Sequence, residues 1–179
     1  MLYIILGIIM VFWAWMQAAA GKLQKYKRDA RSQWVRVDAL LKTRSGYILE
    51  LLELADQKGL DAGELLADIY ELGGGYCCSD DREVISECAE NVTPLVDRFL
   101  ELAHLNPSLS EDEEFRELEE SLAELEDELK LQSERYNGFI DLYNEHREKP
   151  SIRLQIKILG AIPLKGIYIE PMDSLRQAD

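Results

Sequence analysis

The chain is poor in the residues that interrupt secondary structure. Five prolines and eleven glycines in 179 residues favour long helices over many short strands. Cysteine is scarce as well. Cys77, Cys78 and Cys88 are an odd number with two adjacent, which argues against a disulfide framework and suits free thiols in a reducing cytosol. They are expected to pack as small buried apolar side chains, because no paired C-x-x-C spacing points to a metal. Excess positive charge is lacking too. A formal net charge of −14 speaks against a nucleic-acid partner, which needs a basic footprint.

Catalytic patterns are equally thin. There are only two histidines, and no Ser-His-Asp, Cys-His or phosphate-loop pattern occurs; Gly73-Gly74-Gly75 has no preceding strand and no following Gly-Lys-Ser/Thr. Glu101-Leu-Ala-His104 has the spacing of one half of a di-metal carboxylate site. Such bundles use that motif twice with two further Glu, and the second histidine, His146, has Tyr143 three positions before it. The expectation is no catalytic residue, no metal and no cofactor, with a carboxylate-rich metal-binding or oxidoreductase bundle as the alternative.

What is present begins at the N-terminus. Residues 1–21, MLYIILGIIMVFWAWMQAAAG, carry no charged side chain. About 20 apolar residues match a hydrocarbon core of about 30 Å, and Trp13 and Trp15 lie toward the end where indole rings meet headgroups. A secretory signal would carry its positive charge before the apolar run; here all the charge comes after it. The segment is therefore expected to be a retained anchor. Lys22, Lys25, Lys27, Arg28, Arg31 and Arg36 face one acid, Asp29. That stretch is +5, so the rest of the chain is near −19. Positive flanks stay inside, which puts the N-terminus outside and the bulk of the chain in the cytoplasm, single-pass in the cell (inner) membrane. Lys22, Lys25, Lys27, Arg28 and Arg31 are candidates for contact with anionic headgroups. Ala14 and Ala18, one turn apart, are small enough for helix association in the membrane, which keeps a homo-oligomer open.

Beyond the anchor the apolar spacing is helical. Leu23, Tyr26, Ala30, Trp34, Val37, Leu41, Ile48, Leu51 and Ala55 recur at steps of three and four, with Arg44 filling the one gap. The stripe continues from the apolar segment, which predicts one continuous helix ending near Lys58-Gly59. A second helical segment, from a cap at Asp61 to about His104, is broken at Gly73-Gly74-Gly75, restarts at Asp80 or Asp81 and contains Pro94, where a kink is expected. A third opens at the capping box Ser110-Glu111-Asp112-Glu113, carries a heptad seam from Phe115 to Tyr143 and ends at Lys149-Pro150. This predicts an all-α fold: a transmembrane helix (1–21), an up-down-up antiparallel bundle with an interrupted second helix (22–150), and a tail (151–179) of short helix plus extended segment docked on the bundle. Up-down-up makes the first and third helices parallel, and sets acidic Glu111–Glu128 level with basic Lys22–Arg36.

Tyr136-Asn137 recurs as Tyr143-Asn144 seven residues on, with Gly138 between. Asn and Gly are poor helix formers, so they need a reason. One reading has the Tyr rings fill core volume, the Asn amides fix register and Gly138 admit a close neighbour. The other makes Tyr136, Asn137, Tyr143 and Asn144 a recognition patch.

These same residues carry a resemblance. Glu113-Glu114-Phe115-Arg116-Glu117-Leu118, Glu124-Leu125-Glu126, Arg135-Tyr136-Asn137 and Tyr143-Asn144, with Trp34, Val37-Asp38, Leu41-Lys42, Arg44, Ile48 and Leu51, resemble the LemA family. Ile158-Leu159-Gly160 followed by Tyr168 is similar to its tail, whereas Gly73 to Ser79 departs from it. The resemblance implies a bacterial, membrane-anchored helical protein with its N-terminus outside, organising membranes or assemblies as a scaffold or adaptor for another protein.

Overall fold

In the computed structural model, residues 2–77, 79, 81–169, 172 and 175 are described. Cys78, Asp80 and the Ala18 side chain lie outside them. The described residues form six α-helices and no strand: α1 (Leu2–Gln57), α2 (Gly63–Glu71), α3 (Arg82–His104), α4 (Pro107–Ser110), α5 (Glu113–Glu148) and α6 (Arg153–Leu159). The all-α expectation holds, and α1 runs unbroken from the apolar segment to Gln57. Gly59, at φ 75°, ends it by adopting the left-handed conformation open to a residue without Cβ. The chain forms two compact units, Met1–Trp34 with Arg135–Gly166 and Val35–Glu134 with Ile167–Asp179.

In the second unit the helical stripe of α1 is the buried one. Val37, Leu41, Arg44, Ile48, Leu51 and Ala55 are all buried, so Arg44 does occupy a core position. It is 1% exposed. Its Nε donates to Glu126 Oε1 on α5, its Nη1 to the Ala89 carbonyl and its Nη2 to Thr93 Oγ1, both on α3. An isolated charge at such a position would be prohibitive; three charge-assisted bonds make it tolerable. Burial pushes the Glu126 carboxyl above its ordinary range, and Arg44 beside it pulls the other way. Around this layer pack Phe99, Leu100, Leu109, Phe115 and Leu122.

These contacts fix direction. Lys58 pairs with Asp112 and Arg44 with Glu126, so α1 and α5 run antiparallel. His104 at the end of α3 meets Phe115 and Glu119 near the start of α5, so α3 is antiparallel to α5 as well. The expected parallel pairing of the first and third long helices does not hold. The break at Gly73–Gly75 is a reversal, so α2 and α3 are not two halves of one returning helix. In the first unit the Lys22–Trp34 segment likewise meets the C-terminal half of α5, through Tyr26 against His146 and Trp34 against Tyr136. The expected levelling of Glu111–Glu128 with Lys22–Arg36 followed from that parallel pairing and falls with it.

The reversal needs its glycines. Gly73, Gly74 and Gly75 have φ of 57°, 63° and 89°. A Cβ on Gly74 would lie 2.9 Å from the Ser45 carbonyl oxygen, and one on Gly75 would lie 2.4 Å from Val92 Cγ1. Ser45 Oγ donates to the Gly73 carbonyl at 2.6 Å, pinning the turn to α1. Cys77 and Cys88 are joined as a disulfide across this turn, with Cα atoms 6.2 Å apart, inside the ordinary range. The expectation of free thiols is corrected for these two; an odd count of three conceals one bonded pair.

Helix starts differ in detail. Asp81 caps α3 as expected, accepting from the Glu83 amide at 2.9 Å. Asp61 does not cap α2, whose N-cap is Ala62. At the third segment Asn106 and Pro107 open the extra helix α4. Asp112, not Ser110, caps α5, accepting from the Phe115 amide at 3.1 Å.

Replacing Arg44 with Met should leave Glu126 buried without its partner and destabilise the full chain in detergent by about 3–5 kcal/mol, whereas Arg44→Met with Glu126→Leu should recover most of that loss. Thermal unfolding followed by circular dichroism checks both. Equal losses in the two variants would mean that the charge pair is not what holds the layer.

Candidate functional site: a tail held by the Tyr–Asn stripe

The first unit places all four residues of the repeated pair. Tyr136 and Tyr143 are buried, 2% and 4% exposed, as expected for seam positions seven apart on α5. The Tyr136 ring packs against Trp34 at 5.6 Å between centroids. Tyr143 joins a cluster with Leu23, Ile152 and Ile156.

The asparagines do something more specific. α6 ends at Gly160, φ 62° in the left-handed region, and the chain then runs extended from Ala161. Asn144 Nδ2 donates to the Leu164 carbonyl at 2.8 Å and the Leu164 amide donates to Asn144 Oδ1 at 3.0 Å. A side-chain amide here takes the role of a neighbouring peptide group, as a paired strand would, and among the described residues there is no strand to do so. Tyr143 donates its hydroxyl to the Ile162 carbonyl at 3.1 Å. Asn137 lies over Gly166, where a Cβ would come within 2.7 Å of Asn137 Oδ1.

Residues 162, 164 and 166 of an extended chain project to one side. Positions 144 and 137 of a helix share a face two turns apart, about 10 Å along the axis. The segment meets Asn144 at Leu164 and Asn137 at Gly166, so it runs antiparallel to α5. The close approach expected at Gly138 is made by Gly166 instead: nothing lies within 4 Å of a Cβ built on Gly138.

His146 is also buried here, 9% exposed, with its ring edge-on to Tyr26 at 6.0 Å. Burial first, and then the positive charges of Lys149 and Lys22, hold its pKa below the ordinary imidazole value. The cations Lys22, Lys25, Lys27, Arg28 and Arg31 are all exposed on α1. Glu101 is exposed, and its E-x-x-H partner His104 is taken by Glu119 at 2.7 Å. Among the described residues no group of three or more His, Cys, Asp or Glu could hold a metal ion. One helix, containing the N-terminal apolar residues, is long and apolar enough to cross a membrane, and its apolar window is not buried inside the structure.

A helical protein with one membrane-compatible helix, an extended tail and asparagines holding that tail is the class these features define. The LemA family model matches residues 33–167, most of the chain, and the chain belongs to the LemA family. The match begins beyond the apolar segment and ends at Ile167, so it takes in the whole Tyr–Asn stripe and the backbone it holds. No curated protein matches the chain.

Sequence reasoning missed Glu126. It lies in a helical row with Leu122, Leu129, Ser133, Tyr136, Ile140 and Tyr143, all buried. That row, with the unpaired Arg44 of the α1 stripe, was the signal that could have found it.

Replacing Asn144 with Leu should strip both side-chain bonds from Leu164, costing about 1–3 kcal/mol, and speed hydrogen exchange of the Leu164 amide. Gly138→Ala, at an open helical position, should instead raise stability by about 0.5–1 kcal/mol. Unchanged exchange in the Asn144 variant would show that the tail is held by other contacts.

The depressed His146 value sets a sign for pH. Between the unfolded value near 6.5 and the lower folded value, the unfolded chain binds more protons, so stability rises with pH. Stability should be full above about pH 6.5 and fall as pH drops below it, and His146→Phe should flatten that slope. Thermal midpoints of both proteins across this pH range test it.

Proposed function

We propose that this protein is a membrane-anchored helical scaffold or adaptor that works by binding rather than by catalysis. In this reading residues 1–21 are a single span of the cell (inner) membrane, the N-terminus is outside, and the helical units stand in the cytoplasm. The observation that carries it is α1: an exposed apolar segment continues without a break into the helix that supplies the core stripe. Five exposed cations follow the apolar segment directly and suit anionic headgroups.

The Tyr136-Asn137 and Tyr143-Asn144 stripe recognises an extended backbone. The chain's own segment 161–166 occupies it, and a partner segment of the same kind would take its place. A photoreactive residue at Gly138 or Leu142, both exposed, should capture one recurrent protein in intact cells, and Asn144→Leu should reduce that capture. Only self-crosslinks, or none, would reduce the stripe to internal packing.

The Cys77–Cys88 pair tests orientation independently. The bond between them is at odds with a reducing cytosol, so a cytosolic bundle requires both thiols to be found reduced when intact cells are alkylated with a permeant reagent before lysis. A disulfide trapped in intact cells would place the bundle on the oxidising side and reverse the topology.

A further inference from the structure

We propose that α6 and the turn after it form a second contact with the membrane, lying on an anionic bilayer surface beside the span. This rests on the anchor reading above but not on the scaffold role.

Leu23 lies close to the bilayer surface. It is two residues past the uncharged run and is buried in a cluster with Tyr143, Ile152 and Ile156. Two or three residues of helix rise only about 3–5 Å, and the headgroup layer outside a hydrocarbon core is about 5–8 Å deep on each side. The helix that packs on Leu23 is therefore held at headgroup depth. Ile152, just before α6, and Ile156 within it face inward, whereas Arg153, Lys157 and Ile158 are exposed. Ile158 is 57% exposed and Ile162 72%. Both flank Gly160, whose left-handed φ reverses the chain.

Direction completes the case. The C-terminal half of α5 runs toward the Leu23 end of α1, and the segment from Ile162 to Gly166 runs antiparallel to α5. Ile158–Ile162 is thus the end of the tail nearest the span. Two exposed isoleucines at that end, with the exposed cations Lys149, Arg153 and Lys157 near them in sequence and Lys22 and Lys25 exposed on either side of Leu23, have the composition of an interfacial element. The apolar pair has the acyl boundary to enter, and the cations have anionic headgroups to meet. Water would be a poor environment for the isoleucines, and continuity with the span makes lipid the neighbour at hand.

The full chain, carrying a benzophenone residue at position 158 or 162, would be reconstituted in vesicles of phosphatidylglycerol and phosphatidylcholine. Lipid adducts are expected at both positions and at Val11 within the span, with none at the exposed Leu105. Arg153→Glu with Lys157→Glu should cut the adducts at 158 and 162 on the order of tenfold, and leave Val11 unchanged. Adducts at Val11 without any at 158 and 162, or adducts there with protein alone, would overturn the proposal while the anchor stands. Absence at Val11 as well would overturn the anchor and the proposal together. An unchanged yield in the double variant would overturn docking guided by charge.

Discussion

A guanidinium with 1% exposure is the constraint on which the larger unit depends. Arg44 cannot lose its proton, so every acceptor it needs must come from the protein. Those acceptors lie on two other helices, Glu126 on α5 and Ala89 with Thr93 on α3. Hydrophobic seams alone tolerate a slip of one turn, since Leu, Ile and Val substitute for one another with modest cost. A slip of one turn here would leave two charges buried and apart, which is worth several kcal/mol. Arg44 therefore acts as the register pin among α1, α3 and α5, and the apolar residues supply the driving force around it. The adjacent Ser45 binds Gly73, so the reversal between α2 and α3 is set from the same point of α1.

The smaller unit solves a different problem. An extended segment beside a helix has peptide groups with no strand to pair with, and each unpaired buried group costs about 1–3 kcal/mol. Asn144 satisfies both polar groups of Leu164 with one side chain. Tyr143 takes the Ile162 carbonyl. Poor helix propensity at Asn137 and Asn144 costs a few tenths of a kcal/mol each, less than the peptide groups they can satisfy. The two asparagines beside the seam of α5 thus have an energetic reason in the tail.

The stripes were legible in the sequence because a period of three and four residues reports the buried face directly. Leu23 to Ala55 and Phe115 to Tyr143 are buried or half-buried at every position named. Arg44 was visible as a charged residue filling a core position. Its partner was not, since Glu126 is one acid among 34 acidic residues, and only the third dimension distinguishes it. The direction of α5 was also hidden. Two long helices of similar length pack equally well on periodicity either way, and the number of reversals depended on the glycine run. That run reads as a break in sequence, but whether a break bends a helix or turns it round depends on what lies against it. Here Ser45 and Val92 close the turn. For the candidate site, the residues were legible and their partner was not: a glycine that admits a neighbour can sit on either element, and it is Gly166 rather than Gly138.

The cysteines and the basic flank bear on the side of the membrane with unequal weight. The flank acts when the span inserts, and cations within about 15–20 residues of its end set the orientation. Thiol oxidation follows, under whatever redox conditions the inserted chain then meets. The proximity of Cys77 and Cys88 has its own causes: Tyr76 donates to Asp38 at 2.9 Å and Gly75 packs on Val92, which draw the turn onto α1 and α3. A pair held near by packing will bond in an oxidising compartment and remain two thiols in a reducing one. The bond therefore records the compartment, whereas Lys22 to Arg36 help to choose it. Basic flank and disulfide therefore point to opposite sides, and the redox state of the pair in intact cells decides between them.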